Sequence, residues 1–157
     1  TGSQVKGWSS QPEIQSQRGF ALGHPGFRSL PMILGLGTDL CPSARWARLV
    51  DKFGEKAPRR MLHPEEAELL LAGSPARLAE RLAGRWALRE AFGKALGTGL
   101  DGWSWRELRY RDGRLWAEGG LADLLAARGI RRLHGSLSHD GGVAFAVVLL
   151  EGEPCRD

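Results

Sequence analysis

Two stripes wind together at helical period along residues 82–99, LAGRWALREAFGKALGTG. Leu88, Ala91, Phe92, Ala95 and Leu96 make an apolar stripe, and Trp86, Glu90, Lys94 and Gly97 fall at i, i+4, i+8 and i+11 beside it. Side chains three and four residues apart share a helix face, so the pattern predicts a long helix over residues 76–96. It is buried on one side and presents a carboxylate and an ammonium one turn apart on another. The glycines of GTG end it, because glycine takes left-handed backbone without a Cβ clash.

The pattern elsewhere is shorter in range. Residues 32–40, MILGLGTDL, read as a strand whose Gly35 and Gly37 admit close backbone approach and which ends in an acid at Asp39. Trp46, Leu49, Val50 and Phe53 recur at i, i+3, i+4 and i+7, which predicts a helix over 43–56 with those four facing the core. A second short helix is predicted over 64–71, with Pro64 at its first position, His63 or the preceding turn as its cap, and GSP at 73–75 as its end. Residues 105–111 alternate, DGR at 112–114 marks a tight hairpin, and LWAE starts the return strand. A helix over 121–128 is closed by Gly129, and strands over 131–138 and 143–150 flank a His-Asp-Gly-Gly turn. Helices gather in the first half and antiparallel strands in the second. That is an α+β fold, an antiparallel sheet packed on a long central helix, and not the alternation of a doubly wound sheet.

Composition narrows the class. The 157 residues suit one domain with a real core. Residues 1–31, rich in Ser, Gln, Gly and Pro without apolar period, read as a disordered extension, a remnant or the end of a targeting peptide. The folded domain is expected over 32–151 and a tail over 152–157. With 42% hydrophobic and 25% charged residues and no long apolar run, the chain is expected in the cytoplasm without a membrane partner, or in an organelle if the extension is a targeting signal. Cys41 and Cys155 have no metal or disulfide spacing, which leans toward a reducing compartment. A net charge of +4 favours an acidic partner.

Three features carry candidate chemistry. Glu90 and Lys94 can hold a cation and a phosphate on one face, although an i, i+4 pair also simply stabilises a helix by about 0.3 kcal/mol. Asp39 at a strand end serves equally as a ligand or as a cap. Arg45, Arg48, Lys52 and Lys56 step along the helix opposite its apolar stripe, as a docking face for an acidic helix or as a solvated surface. Charge and six tryptophans also suit a nucleic-acid-binding module. Trp46 and Trp86, on or beside apolar stripes, argue for core instead.

GLGTDL at 35–40, GRWALREAFGKALGTG at 84–99 and GSLSHDGG at 135–142 together resemble the holo-acyl-carrier-protein synthases, the small branch of the 4'-phosphopantetheinyl transferases. The resemblance spans 32 to about 151 in order and spacing. It implies a homotrimer with active sites at subunit interfaces, coenzyme A as donor, Mg2+ as cofactor and a serine of apo acyl carrier protein as acceptor, with no nucleic-acid partner. By the same resemblance Asp39 and Glu90 are the metal carboxylates, and Lys94 approaches a coenzyme A phosphate. Gly97, Ser138 and His139 lie at the nucleotide, and Arg45 meets the carrier protein, with Arg48 and Lys52 beside it on the docking face. The chain departs from the family at Pro42, where an acid is usual, at Arg89, where Lys is usual, and at Val143, where Tyr is common. Arg89 keeps the charge, and an inactive trimeric relative is the alternative that Pro42 and Val143 leave open.

Overall fold

The computed structural model describes residues 30–153. The expectations for residues 1–29 and for 154–157, Cys155 included, lie outside the described residues. In chain order the elements are β1 (Met32–Pro42), α1 (Ser43–Phe53), α2 (Lys56–Met61), α3 (Pro64–Leu71), α4 (Leu78–Leu96), β2 (Leu108–Arg111), β3 (Arg114–Ala117), α5 (Gly119–Ala127), β4 (Ile130–Asp140) and β5 (Val143–Gly152). The expected α+β class holds, with α4 as the central helix.

β1 joins the C-terminal hairpin in one antiparallel sheet of order β1-β5-β4, while β2 and β3 form a separate two-stranded ribbon. Period-two alternation decides which face each strand buries. Ala144, Ala146, Val148 and Leu150 of β5 point into the core with Leu133 of β4. α4 lies across that same face, its Leu82, Ala83, Ala87, Leu88, Ala91 and Phe92 almost wholly buried. Burying each large side chain there contributes about 1.5–3 kcal/mol.

Contact between β1 and α4 is backbone on backbone. A Cβ on Gly37 would stand 1.9 Å from the Ala91 carbonyl oxygen, and one on Gly35 would stand 2.1 Å from that of Ala95. The absence of side chains at these two positions lets β1 run along α4 from Ala95 past Ala91, which seats Asp39, two residues farther along, within reach of the Lys94 side chain.

Several boundaries differ from the sequence expectation. The helix expected over 43–56 breaks at Gly54, whose φ of 54° and ψ of −136° suit glycine, so Lys56 starts α2 and leaves the basic stripe. Phe53, expected in the core, is exposed, whereas Trp46 is buried and Leu49 and Val50 are partly so. Pro75–Arg77 forms a 3-10 turn, and α4 starts at Leu78 rather than 76. Trp105–Glu107 is another 3-10 turn, which shortens the strand expected over 105–111 to β2. α5 starts two residues before the expected 121, and β4 extends over both ends of 131–138. β5 reaches Gly152, which pairs with Met32. His63 caps α3 as expected, its ring nitrogen accepting the Glu65 N–H. Gly97 ends α4 in the left-handed conformation.

The sheet's other face is left apolar and open. Leu36 pairs with Leu149 and Leu40 with Phe145 across β1 and β5, and Leu36, Leu40 and Phe145 are 61%, 66% and 38% exposed.

Candidate active site

The site sits where β1, still paired with β5, runs along α4 past Ala91. Lys94 reaches across to β1: its Nζ lies 2.9 Å from Asp39 Oδ1 and donates at 3.0 Å to the Thr38 carbonyl oxygen. Asp39 is therefore a strand residue in an ion pair and not a cap, and the first turn of α1 carries no side-chain cap from Pro42. Glu90, one turn before Lys94, accepts the Trp86 indole N–H at Oε1 over 3.1 Å. Trp86 is itself held in a tryptophan stack, its ring 5.7 Å from that of Trp46 and 5.4 Å from that of Trp105. Exposure rises along this face of α4, from buried Trp86 through half-buried Glu90 to exposed Lys94.

A buried thiol senses both carboxylates. Burial raises Cys41 above its ordinary value, and the negative charges of Asp39 and Glu90 add to that, while the Trp46 N–H and Arg45 oppose it. Cys41 takes the Trp46 indole N–H at 3.0 Å. It is a packed thiol beneath the site rather than a nucleophile. Asp39, Glu90 and Arg45 thus lie within electrostatic reach of one residue.

Behind the site, Arg89 is 1% exposed and donates to Glu66 Oε2, the Leu108 and Trp105 carbonyl oxygens and the Arg85 carbonyl oxygen. Glu66 also stands 2.9 Å from Arg85 Nε. Arg85 lies over the Tyr110 ring at 4.5 Å, and burial pulls its pKa below the ordinary guanidinium value against the opposing pull of Glu66. This network ties α3 and the 105–108 segment to α4 at the residue preceding Glu90.

Ser138 and His139 stand apart from that group within the protomer. Both are exposed. His139 shares the sheet face of Leu133 and Leu137 and lies over α4 at Gly84, where an added Cβ would come 2.8 Å from its Nε2. Gly84 precedes Glu90 by six residues, a separation of about 9 Å along a helix. Ser138 pairs with Phe145, on the open face. Arg45, Arg48 and Lys52 are exposed on α1. Gly97 is exposed at the end of α4.

The donor set suits a hard divalent cation. Asp39 Oδ1 is taken by Lys94 and Glu90 Oε1 by Trp86, and the second oxygen of each has no hydrogen bond among the described residues. Among the described residues no group of three or more His, Cys, Asp or Glu stands together. Two carboxylates completed by phosphate and water oxygens fit magnesium, which retains much of its own hydration.

Sequence reasoning missed three contributors. Trp86 was read as core, and the hydrogen-bonding role of its N–H follows only from its i, i+4 spacing to Glu90. Glu66 has no sequence signal that sets it apart from its neighbour Glu65. Gly84 opens the 84–99 segment, but only the fold shows that His139 lies over it, and a glycine in mid-helix, which costs about 1 kcal/mol, asks for such a reason.

A family model described as 4'-phosphopantetheinyl transferase superfamily matches residues 35–139, from the first glycine against α4 to the histidine over Gly84. The chain belongs to this superfamily. Among curated transferases it is 40% identical over 126 residues to the holo-[acyl-carrier-protein] synthase of Trichlorobacter lovleyi, covering 76% of this chain and 98% of that one. The crystal structure of the Neisseria meningitidis holo-[acyl-carrier-protein] synthase matches with a TM-score of 0.68 at 36% identity, over 76% of this chain and 98% of that one. A Bacillus anthracis synthase in complex with CoA (3',5'-ADP) matches at 32% identity with a TM-score of 0.59, over 78% and 99%. The transferase fold of these relatives and the α+β arrangement here are the same.

Proposed function

We propose that this chain transfers the 4'-phosphopantetheine group of coenzyme A to a serine of apo acyl carrier protein and releases 3',5'-ADP, in support of fatty acid biosynthesis. The chain is a phosphopantetheinyl transferase by family, with coenzyme A as co-substrate and acyl carrier protein as partner. The observation that carries the site assignment is the meeting of Asp39 with Lys94, one helical turn from Glu90, inside the segment the family covers.

In the reaction the carrier serine Oγ bonds to the phosphorus that bears pantetheine, the bond from that phosphorus to 3',5'-ADP breaks, and the leaving phosphate takes the electron pair. The serine proton passes to solvent. Asp39 and Glu90 are assigned as the protein ligands of Mg2+, and the ion when bound supplies neutralisation of phosphate charge and acidification of water. Lys94 is assigned to a coenzyme A phosphate as a point charge on a flexible stem. Trp86 holds Glu90 in place through its N–H, and the Arg89 network fixes the helix that carries both charged groups. Gly97, Ser138 and His139 are assigned to the nucleotide. Arg45, Arg48 and Lys52 are assigned to docking of the acidic carrier by complementary charge.

A homotrimer with sites between subunits is part of this reading. Two observations support it: the open apolar face of β1 and β5, and the place of His139 within one protomer over Gly84, six residues along α4 from Glu90. No described helix is long and apolar enough to cross a membrane.

Mass spectrometry of apo carrier protein incubated with coenzyme A, Mg2+ and this chain tests the function. The expected outcome is addition of one phosphopantetheine that requires both coenzyme A and the metal. No addition to any of several bacterial-type carriers overturns it.

A further inference from the structure

Lys94 and a divalent ion call on the same carboxylate, so the ammonium on one oxygen of Asp39 opposes by its charge a cation on the other. The ammonium sits on Asp39 Oδ1 at 2.9 Å and on the Thr38 carbonyl oxygen at 3.0 Å, a carboxylate and a carbonyl, both hard oxygens of the kind such an ion takes. Lys94 lies in the last turn of α4, where the helix carbonyl ends favour a cation. Its side chain is 53% exposed over an Asp39 side chain that is 16% exposed, so the lysine covers the carboxylate from the solvent side. Glu90 is held differently, by the neutral indole N–H of Trp86.

We propose that Lys94 is a placeholder cation: without nucleotide its ammonium occupies Asp39 and competes with the divalent ion, and the phosphates of coenzyme A draw it off and open the carboxylate. The inference rests on Asp39 as a metal ligand and Lys94 as a phosphate contact. Its four-carbon stem can turn between the two partners without moving the helix. Asp39 is then the gated ligand and Glu90 the standing one. Metal binds the free enzyme weakly, and nucleotide and metal tighten each other by the same factor, as linkage between two sites requires.

Electron paramagnetic resonance titration of Mn2+ into the full chain, first without nucleotide, tests this. Lys94→Met is expected to bind Mn2+ about fivefold tighter than the wild type, the upper end of what a partly exposed ion pair opposes. Lys94→Arg, which keeps the charge, is expected to stay near the wild type. Arg60→Met, which removes the same charge from the surface of α2, is expected to leave the constant unchanged. Adding coenzyme A is expected to tighten Mn2+ on the wild type by a larger factor than on Lys94→Met, since only the former has an ammonium to displace. Asp39→Asn separates the competition from the ligand assignment. If Asp39→Asn loses Mn2+ while Lys94→Met binds as the wild type does, or if Arg60→Met tightens as much as Lys94→Met, the competition is overturned. If Asp39→Asn binds Mn2+ normally, the ligand assignment fails and the competition fails with it.

Discussion

Gly37 carries the tightest constraint on the site. Its missing side chain lets β1 lie on the backbone of α4, with a Cβ clash of 1.9 Å on a carbonyl oxygen that cannot rotate away. Gly37→Ala should cost about 2 kcal/mol, within the usual range for overpacking a rigid core contact. Urea unfolding measures it, and an unchanged midpoint would mean that β1 can slide off α4 freely. The displaced strand carries Asp39 with it, so turnover should fall with stability. At this scale the sequence singled out the residues proposed here to bear chemistry, because carboxylate, ammonium and glycine are legible by type and spacing. It did not show Glu66 against Arg89 or Gly84 beneath His139, because those partners are 23 and 55 residues apart in the chain and meet only in the fold.

The basic stripe belongs to α1 as an element. Gly54 ends the helix one residue after Phe53, so three cations, Arg45, Arg48 and Lys52, share the face and Lys56 starts a new direction. The periodicity ran through the break because Glu55 and Lys56 suit a helix. Only the positive φ of Gly54 ends it. If this face docks an acidic carrier, Arg45→Glu with Arg48→Glu should raise the apparent KM for the carrier about tenfold or more while coenzyme A binding stays as in the wild type. Raised salt should have the same effect on the wild type, since exposed charges act over only about 8 Å at physiological ionic strength. Weak coenzyme A binding with normal carrier affinity would move the stripe into the nucleotide site.

On the scale of the whole molecule, the open sheet face is the feature an isolated protomer does not explain. Large apolar side chains on adjacent strands, Leu36, Leu40 and Phe145, line up on the face turned away from α4. Contiguous exposed apolar surface of this kind marks an interface. Leu36→Asp with Phe145→Asp should convert the proposed trimer to monomers in sedimentation velocity and lower transferase activity by at least tenfold, because the site proposed to lie between subunits comes apart with the assembly. A variant that sediments as a monomer and keeps full activity would show that each protomer is complete by itself.

What the amino-acid sequence determined alone was local. The apolar stripe of 82–96 specified a buried helix, GTG specified its end, DGR specified a hairpin, and the two apolar runs of 131–150 around a His-Asp-Gly-Gly turn specified antiparallel strands. All of these rest on interactions within a few turns of chain, where type and period are sufficient. The tertiary structure decided what long-range pairing alone can decide. It put β1 beside β5 rather than beside the nearer ribbon, because two glycines fit against α4 there, and it turned Lys94 toward Asp39 and not toward Glu90, because the strand brought a second carboxylate within reach. A side chain's partner is set by which element packs against its own, and that choice is made by the core as a whole.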